Sequence, residues 1–157
     1  MEPPLRLAAL SEDAAVAEIL IESRRRFLPF APMRHPPAEV QAWVGQQLLP
    51  TGRVVVVEVA AKLVAVLATS EQEKCSWIDQ LYVLTGYTSR GLGTRLLQHA
   101  HQTLRPPIRP YTFQANLGAR RFYERHGYHA VEFTDGSANE EQCPDVLYEL
   151  QASRAEA

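Results

Sequence analysis

Leu81-Tyr82-Val83, continued by Ser89-Arg90-Gly91-Leu92-Gly93-Thr94, is the stretch that decides how this chain folds. It reads as an apolar strand, a short polar loop and two glycines opening a helix. A strand that feeds a glycine loop into a helix N-terminus gathers unpaired backbone N–H groups at one point, and the helix dipole adds partial positive charge there. Such a loop is a phosphate cradle. Leu96 stands where the third glycine of a dinucleotide fingerprint would be, and neither Lys62 nor Lys74 lies in the loop as a P-loop would require. Taken alone, the loop is equally well an ordinary strand-to-helix turn with glycines for tight packing.

A second segment, Asn116-Leu117-Gly118-Ala119-Arg120-Arg121-Phe122-Tyr123-Glu124-Arg125-His126-Gly127-Tyr128, reads as a short capped helix. Asn116 suits the N-cap and Gly127 the C′ position. Ala119, Phe122 and Tyr123 share one face by the i, i+3, i+4 rule. Together the two segments resemble the GNAT family of N-acetyltransferases, and the resemblance covers nearly the whole chain. The family's later signature, Asn-x-x-Ala-x-x-Phe-Tyr-Glu-x-x-Gly-Phe/Tyr, is matched in full. Its pyrophosphate signature, Arg/Gln-x-x-Gly-x-Gly/Ala, is matched at Gly91 and Gly93, but Thr88 replaces the long polar residue and Ser89 stands where Gly is common. The loop thus lacks one polar contact to CoA, while Arg90 and the backbone donors remain. The ending Phe133 to Glu141, then Pro144 to Tyr148, is similar to that of many bacterial members.

The resemblance implies an α+β fold in three layers, with a mixed, mostly antiparallel sheet of about six or seven strands flanked by about four helices. A chain of 157 residues with 46% hydrophobic content suits a single domain over residues 1–157. A net charge of −2 gives no electrostatic footprint for nucleic acid. No apolar run reaches the roughly 18 residues of a membrane span, and Met1-Glu2-Pro3-Pro4 has no signal-peptide character. Cys75 and Cys143 form no disulfide framework, so a cytoplasmic enzyme is expected. His35, His99, His101, His126 and His129 show no metal-ligand spacing, so no metal is expected.

Periodicity predicts a strand at Leu5 to Ala9, a helix from about Glu12 to Arg26 capped by Ser11, and a helix from Ala38 to Leu48. Val54 to Val59 and Leu63 to Ala68 form a hairpin whose turn at Ala60-Ala61-Lys62 lacks Gly or Asn. Trp77 to Leu84 is a central strand, and Leu92, Leu96, Leu97, Ala100 and Leu104 line one side of the next helix. Strands at Tyr111 to Ala115, Tyr128 to Phe133 and Val146 to Leu150 complete the sheet, and Ala152 to Ala157 fray.

Amine attack on a thioester needs an oxyanion donor, a route for the ammonium proton and an acid for the departing sulfur. The resemblance implies that backbone groups of Leu81, Tyr82 and Val83 hold the pantetheine of acetyl-CoA, with Val83 N–H as oxyanion donor. It implies a diphosphate held by Ser89, Arg90, Gly91, Leu92, Gly93 and Thr94, a pantetheine contact from Asn116, and Tyr123 as general acid. From periodicity alone, Tyr123 is a core aromatic beside Phe122. Asp79 is a candidate base, with a solvated strand carboxylate and proton loss to ordered water as the alternatives. Strand alternation places Trp77, Asp79 and Leu81 on one face and Gln80 and Tyr82 on the other.

In this family the link between the first two helices and the late strand loop set acceptor specificity. Here these carry Phe27, Phe30, Met33 and His35, opposite Asp135, Glu140 and Glu141, a pairing that suits a small amine-bearing molecule. Arg24-Arg25-Arg26 reads as a solvated helix end, one of whose members could recognise an acidic acceptor. A protein amine and a non-catalytic acyl-CoA-binding module stay open as alternatives. Family members are often homodimers, so the resemblance also raises a dimer.

Overall fold

A computed structural model describes residues 2–31 and 33–152. The expected fraying of the C-terminus falls, from residue 153 on, outside the described residues. Within them, seven strands form one sheet in the order β1-β2-β3-β4-β5-β7-β6: β1 (Leu5–Leu7), β2 (Val54–Val59), β3 (Lys62–Glu71), β4 (Ser76–Val83), β5 (Ile108–Phe113), β6 (His129–Phe133) and β7 (Asp145–Glu149). Four α-helices accompany them: α1 (Asp13–Phe27), α2 (Pro37–Trp43), α3 (Leu92–Thr103) and α4 (Leu117–Arg125). Only the β4–β5 ladder is parallel.

The unbroken valine run of β2 follows from burial on both faces. Val54 and Val56 pack with Val16 and Leu20 of α1, while Val55 and Val57 pack with Leu92, Leu96 and Leu97 of α3. The sheet therefore separates two cores, one under α1 and α2, the other under α3 and α4. All five predicted apolar positions of α3 and its following residue, Leu92 through Leu104, are buried.

Local chemistry shifts several boundaries. Ser11 does not cap α1. A 3₁₀ turn over Leu10–Glu12 precedes the helix, and the Glu12 carboxylate caps it by accepting from Ala9 N–H at 2.8 Å. The second helix starts at Pro37 and continues past Trp43 as a π-turn over Val44–Leu48. β5 begins at Ile108, earlier than its turn-forming prolines suggest.

Val59 pairs with Lys62, leaving a two-residue loop in which Ala60 (φ 51°) and Ala61 (φ 65°) both take positive φ. Those are the φ signs of a type I′ turn, which matches strand twist but favours Asn-Gly. The left-handed conformation is unfavourable for alanine by roughly 1–2 kcal/mol per residue. Replacing Ala60-Ala61 by Asn-Gly should therefore stabilise the protein by about 1 kcal/mol, after allowing for the entropy of the new glycine. Thermal unfolding should show this as a rise of roughly 2–4 °C; an unchanged or lower midpoint would contradict the turn assignment.

Candidate active site

β4 and β5 pair only at Ser76↔Ile108, Trp77↔Arg109 and Ile78↔Pro110. Beyond that point they diverge, and a cavity of about 100 Å³ opens between them, bordered by Asp79, Leu81, Tyr82, Asn116 and Tyr123. On the other edge of β4, Leu84 N–H donates to the Val64 carbonyl of β3 at 2.8 Å. Alternation then sends the N–H groups of Val83 and Leu81 toward the opened side, where β5 no longer accepts them.

The register also fixes the faces of β4. Ala68 pairs with Gln80 and Thr69 with Ile78, so Asp79 is the extra residue of a β-bulge. The bulge reverses the phase of the strand. Ile78, Leu81 and Val83 face the α3 core, whereas Tyr82 and Leu84 face the α1 core. Trp77 lies with Gln80 and Tyr82, across the sheet from Leu81, which corrects the expected grouping of Trp77 with Leu81. Asp79 is exposed by surface area, yet partial desolvation raises its carboxyl pKa from the ordinary value, offset in part by the Ser70 hydroxyl and the Arg53 guanidinium.

The loop after β4 turns at Gly86 (φ 94°) and enters α3 through Ser89 (φ 66°) and Gly91 (φ 77°). Among the described residues, no backbone N–H from Thr88 to Thr94 donates to a backbone carbonyl; the first to do so is Arg95, to Gly91 at 3.0 Å. Seven consecutive positions thus leave their donors to solvent or a ligand. Gly91 needs its φ, while Gly93 is a packing glycine. A Cβ there would lie 3.5 Å from the Phe122 ring and 3.9 Å from Val83. That contact joins the loop to the helix carrying Tyr123. Arg90 is exposed and stands 4.9 Å over the Tyr87 ring.

Asn116 accepts from Ala119 N–H at 3.2 Å, as a side-chain cap of α4. At the other end, Gly127 N–H bonds the Glu124 carbonyl (3.1 Å) and Tyr128 N–H the Tyr123 carbonyl (3.0 Å), a Schellman motif. Tyr123 is the only fully buried residue of α4 and packs on Tyr128 and Tyr148. The helix is further seated by the Tyr148 hydroxyl, which accepts from Arg120 Nε (3.1 Å) and donates to Glu124 (2.7 Å). Burial first, then the neighbouring phenols Tyr128 and Tyr82, push the Tyr123 hydroxyl far above its ordinary range.

A larger cavity, about 380 Å³, lies on the opposite side of β4 between α1, α2 and the β6–β7 loop. His35 borders it, with Nδ1 3.0 Å from Glu39 and Nε2 hydrogen-bonded to Glu140, and these two carboxylates raise its pKa. Glu141 and Met33 border it too. Phe27 and Phe30 do not; Phe30 packs edge-on against Phe113 at 6.0 Å, near the smaller cavity. Asp135 instead accepts from Ser137 N–H within its own turn. Sequence reasoning missed Trp43, Glu39 and Val40, which reach the cavity by helical spacing on α2, and Leu28, which borders the smaller one. Gln80 borders both. Among the described residues, no group of three or more His, Cys, Asp or Glu is placed to hold a metal, and no helix is long and apolar enough to cross a membrane.

The positive φ of Ser89 explains why glycine suits that position. Ser89→Gly should stabilise the protein by about 1 kcal/mol or slightly less, with the protein's affinity for an added anionic ligand such as coenzyme A unchanged. Thermal unfolding and calorimetry check both; lowered stability would show that Ser89 is held by something other than tolerance of strain.

The structure superposes on the PaiA N-acetyltransferase of Thermoplasma acidophilum in complex with coenzyme A with a TM-score of 0.77 at 18% identity, covering 97% of this chain and 100% of that one. It matches apo YjaB from Escherichia coli with a TM-score of 0.76 at 19% identity, covering 97% and 100%. An Arabidopsis thaliana protein solved with the bisubstrate analogue CoA-Ac-MVNAL gives 0.70 at 16% identity, again covering 97% and 100%. These likenesses are of fold. No curated protein matches the sequence significantly. The family model described as "Acetyltransferase (GNAT) family" matches residues 16–128, most of the chain. By that match the chain belongs to the GNAT family and is an acetyltransferase that uses acetyl-CoA.

Proposed function

We propose that the protein transfers acetyl from acetyl-CoA directly to the amine of a small molecule. The observation that carries this reading is the gap between β4 and β5, where the β4 edge from Leu81 to Val83 has lost its ladder partner and where Leu81, Tyr82, Asn116 and Tyr123 border one narrow cavity of mixed polarity. Acetyl-CoA supplies the acyl group as a thioester. The amides from Ser89 to Thr94, with Arg90 beside them, take its diphosphate at the N-terminus of α3. Leu81, Tyr82 and Val83 extend one strand edge along the pantetheine, and Asn116 meets it from the other side.

Val83 N–H then donates to the thioester oxygen as negative charge develops there, in a site where water competes little. The amine nitrogen bonds to the carbonyl carbon, the carbon–sulfur bond breaks, and the sulfur leaves with the electron pair. Tyr123, kept neutral by burial, donates its hydrogen bond to that sulfur as charge arrives. One proton leaves the acceptor ammonium, and Asp79 at the bulge receives it, directly or through water. A second proton leaves the nitrogen as the tetrahedral adduct collapses and ends on the sulfur, so net transfer from the ammonium releases one proton.

The acceptor-side cavity supports a small molecule over a protein. Its roof, the β6–β7 loop, is tied to α1 by Arg24–Glu141 (3.0 Å) and to the α1–α2 link by His35 with Glu140, ties that favour a compact acceptor over an extended polypeptide. The Arabidopsis structure, with its peptide-like analogue, makes peptides the control.

Tyr123→Phe should lower kcat roughly a hundredfold while CoA affinity changes little, read by thiol release and calorimetry. A variant with wild-type turnover would remove Tyr123 from the chemistry. kcat/KM should climb as pH rises, because both the acceptor ammonium and the raised Asp79 carboxyl must lose protons. Tyr123 itself should add no descending limb below about pH 10, since burial holds its proton above the ordinary phenol range. A fall in rate beginning near pH 8 that vanishes in Tyr123→Phe would contradict that assignment.

A further inference from the structure

Arg24, Arg25 and Arg26 end α1, and Arg24 alone turns inward. Arg25 pairs with Glu22 on the surface at 3.5 Å, whereas Arg24 borders the acceptor-side cavity with its side chain only 20% exposed. One of its terminal nitrogens donates to Glu141 at 3.0 Å, and its Nε is buried with no partner among the described residues. A guanidinium presents a rigid fork of donors, and leaving such a group half-employed inside a protein is unfavourable. Arg34, nearby, reaches only the Glu141 backbone carbonyl at 3.4 Å. Arg24 and Arg34 thus both converge on Glu141, at its carboxylate and its carbonyl respectively, while Glu39 and Glu140 are engaged by His35.

The Tyr82 phenol lies beside Arg24. Gln80, on the same face of β4, borders both the acceptor-side cavity and the thioester cavity. Residues two apart on a strand are separated by about 7 Å. That is close to the span from a guanidinium, through a hydrogen-bonded carboxylate, to an amine on the adjacent carbon. Met33, Val40 and Trp43 supply an apolar wall.

We propose that the acceptor is an α-amino acid with an apolar side chain, its carboxylate docked on Arg24 with Arg34 beside it and its amine directed past Gln80. This assignment rests on the acetyl-transfer reading and specifies its substrate class. The substrate carboxylate would accept from terminal guanidinium N–H groups that Glu141 does not engage, and charge-assisted bonds of this kind are the strong ones. A diamine is the discriminating control, because its second cation would meet Arg24 and Arg34 but also Glu39 and Glu140.

The test offers the wild-type protein L-leucine, L-methionine, L-phenylalanine and L-tryptophan, each beside the amine lacking only its carboxylate, with putrescine as the diamine. Thiol release gives kcat/KM, and calorimetric titration of the CoA-bound protein gives affinity whether or not turnover occurs. At least one amino acid should be favoured over its decarboxylated partner on the order of tenfold to a hundredfold. Arg24→Gln should bring that ratio close to one through KM, with Arg34→Gln, at an exposed loop position, moving it the same way by less. Preference for plain amines or putrescine, or a ratio untouched in both variants, overturns the proposal. Amino-acid binding without thiol release would keep the subsite and sink the acetyl-transfer reading; turnover of plain amines alone would do the reverse.

Discussion

Three residue pairs hold β4 to β5, and the proposed active site depends on the ladder ending there. Two local features stop it. Pro110, at the last pair, has no N–H to offer the ladder, and Asp79, immediately after Ile78, bulges and adds twist. The strands then part while each stays tied to its outer neighbour. Backbone donors that any intact sheet would consume are left facing the gap. In that space a main-chain N–H and a neutral phenol have an electrostatic weight that they would lack at the surface.

The same divergence sorts the molecule into zones of different polarity. Amides and Arg90 at the start of α3 make an electropositive end. The gap itself mixes leucine, phenylalanine and tyrosine edges with Asp79, Gln80 and Asn116. Past Gln80 the surroundings become ionic, with arginines, a histidine and glutamates brought together from three segments distant in sequence. A reactant that carries its charges at its extremities and its reacting bond in the middle meets each zone in turn.

Much of this was legible in the chain. Asn116 and Gly127 announced both ends of α4, and the apolar period of α3 placed its buried face. The β2–β3 hairpin could be read from its valines, because both faces of those strands are covered. What escaped depended on partners far away in sequence. The bulge at Asp79 is defined only by pairing with Ala68 and Thr69, so alternation along β4 alone assigned Trp77 to the wrong face. The turn at Ala60-Ala61 could not be typed because alanine carries no preference for the φ it takes there. Phe27 and Phe30 looked like a substrate wall by position in the link. The chain instead turns Met33 and His35 toward the cavity and seats Phe30 on Phe113, a contact no local pattern encodes. Among three successive arginines, composition gave no reason to single out the one facing inward.

The bond triad of Tyr148 with Arg120 and Glu124 gives α4 a distinctive mechanical character. Apolar contacts permit a helix to slide or roll with little penalty, whereas paired hydrogen bonds a turn apart on that helix resist rotation about its axis. With one fully buried side chain and two bonds to a single phenol, α4 is indexed more like a keyed shaft than a greased one. That indexing fixes the azimuth of α4 against β7, the strand that carries Tyr148.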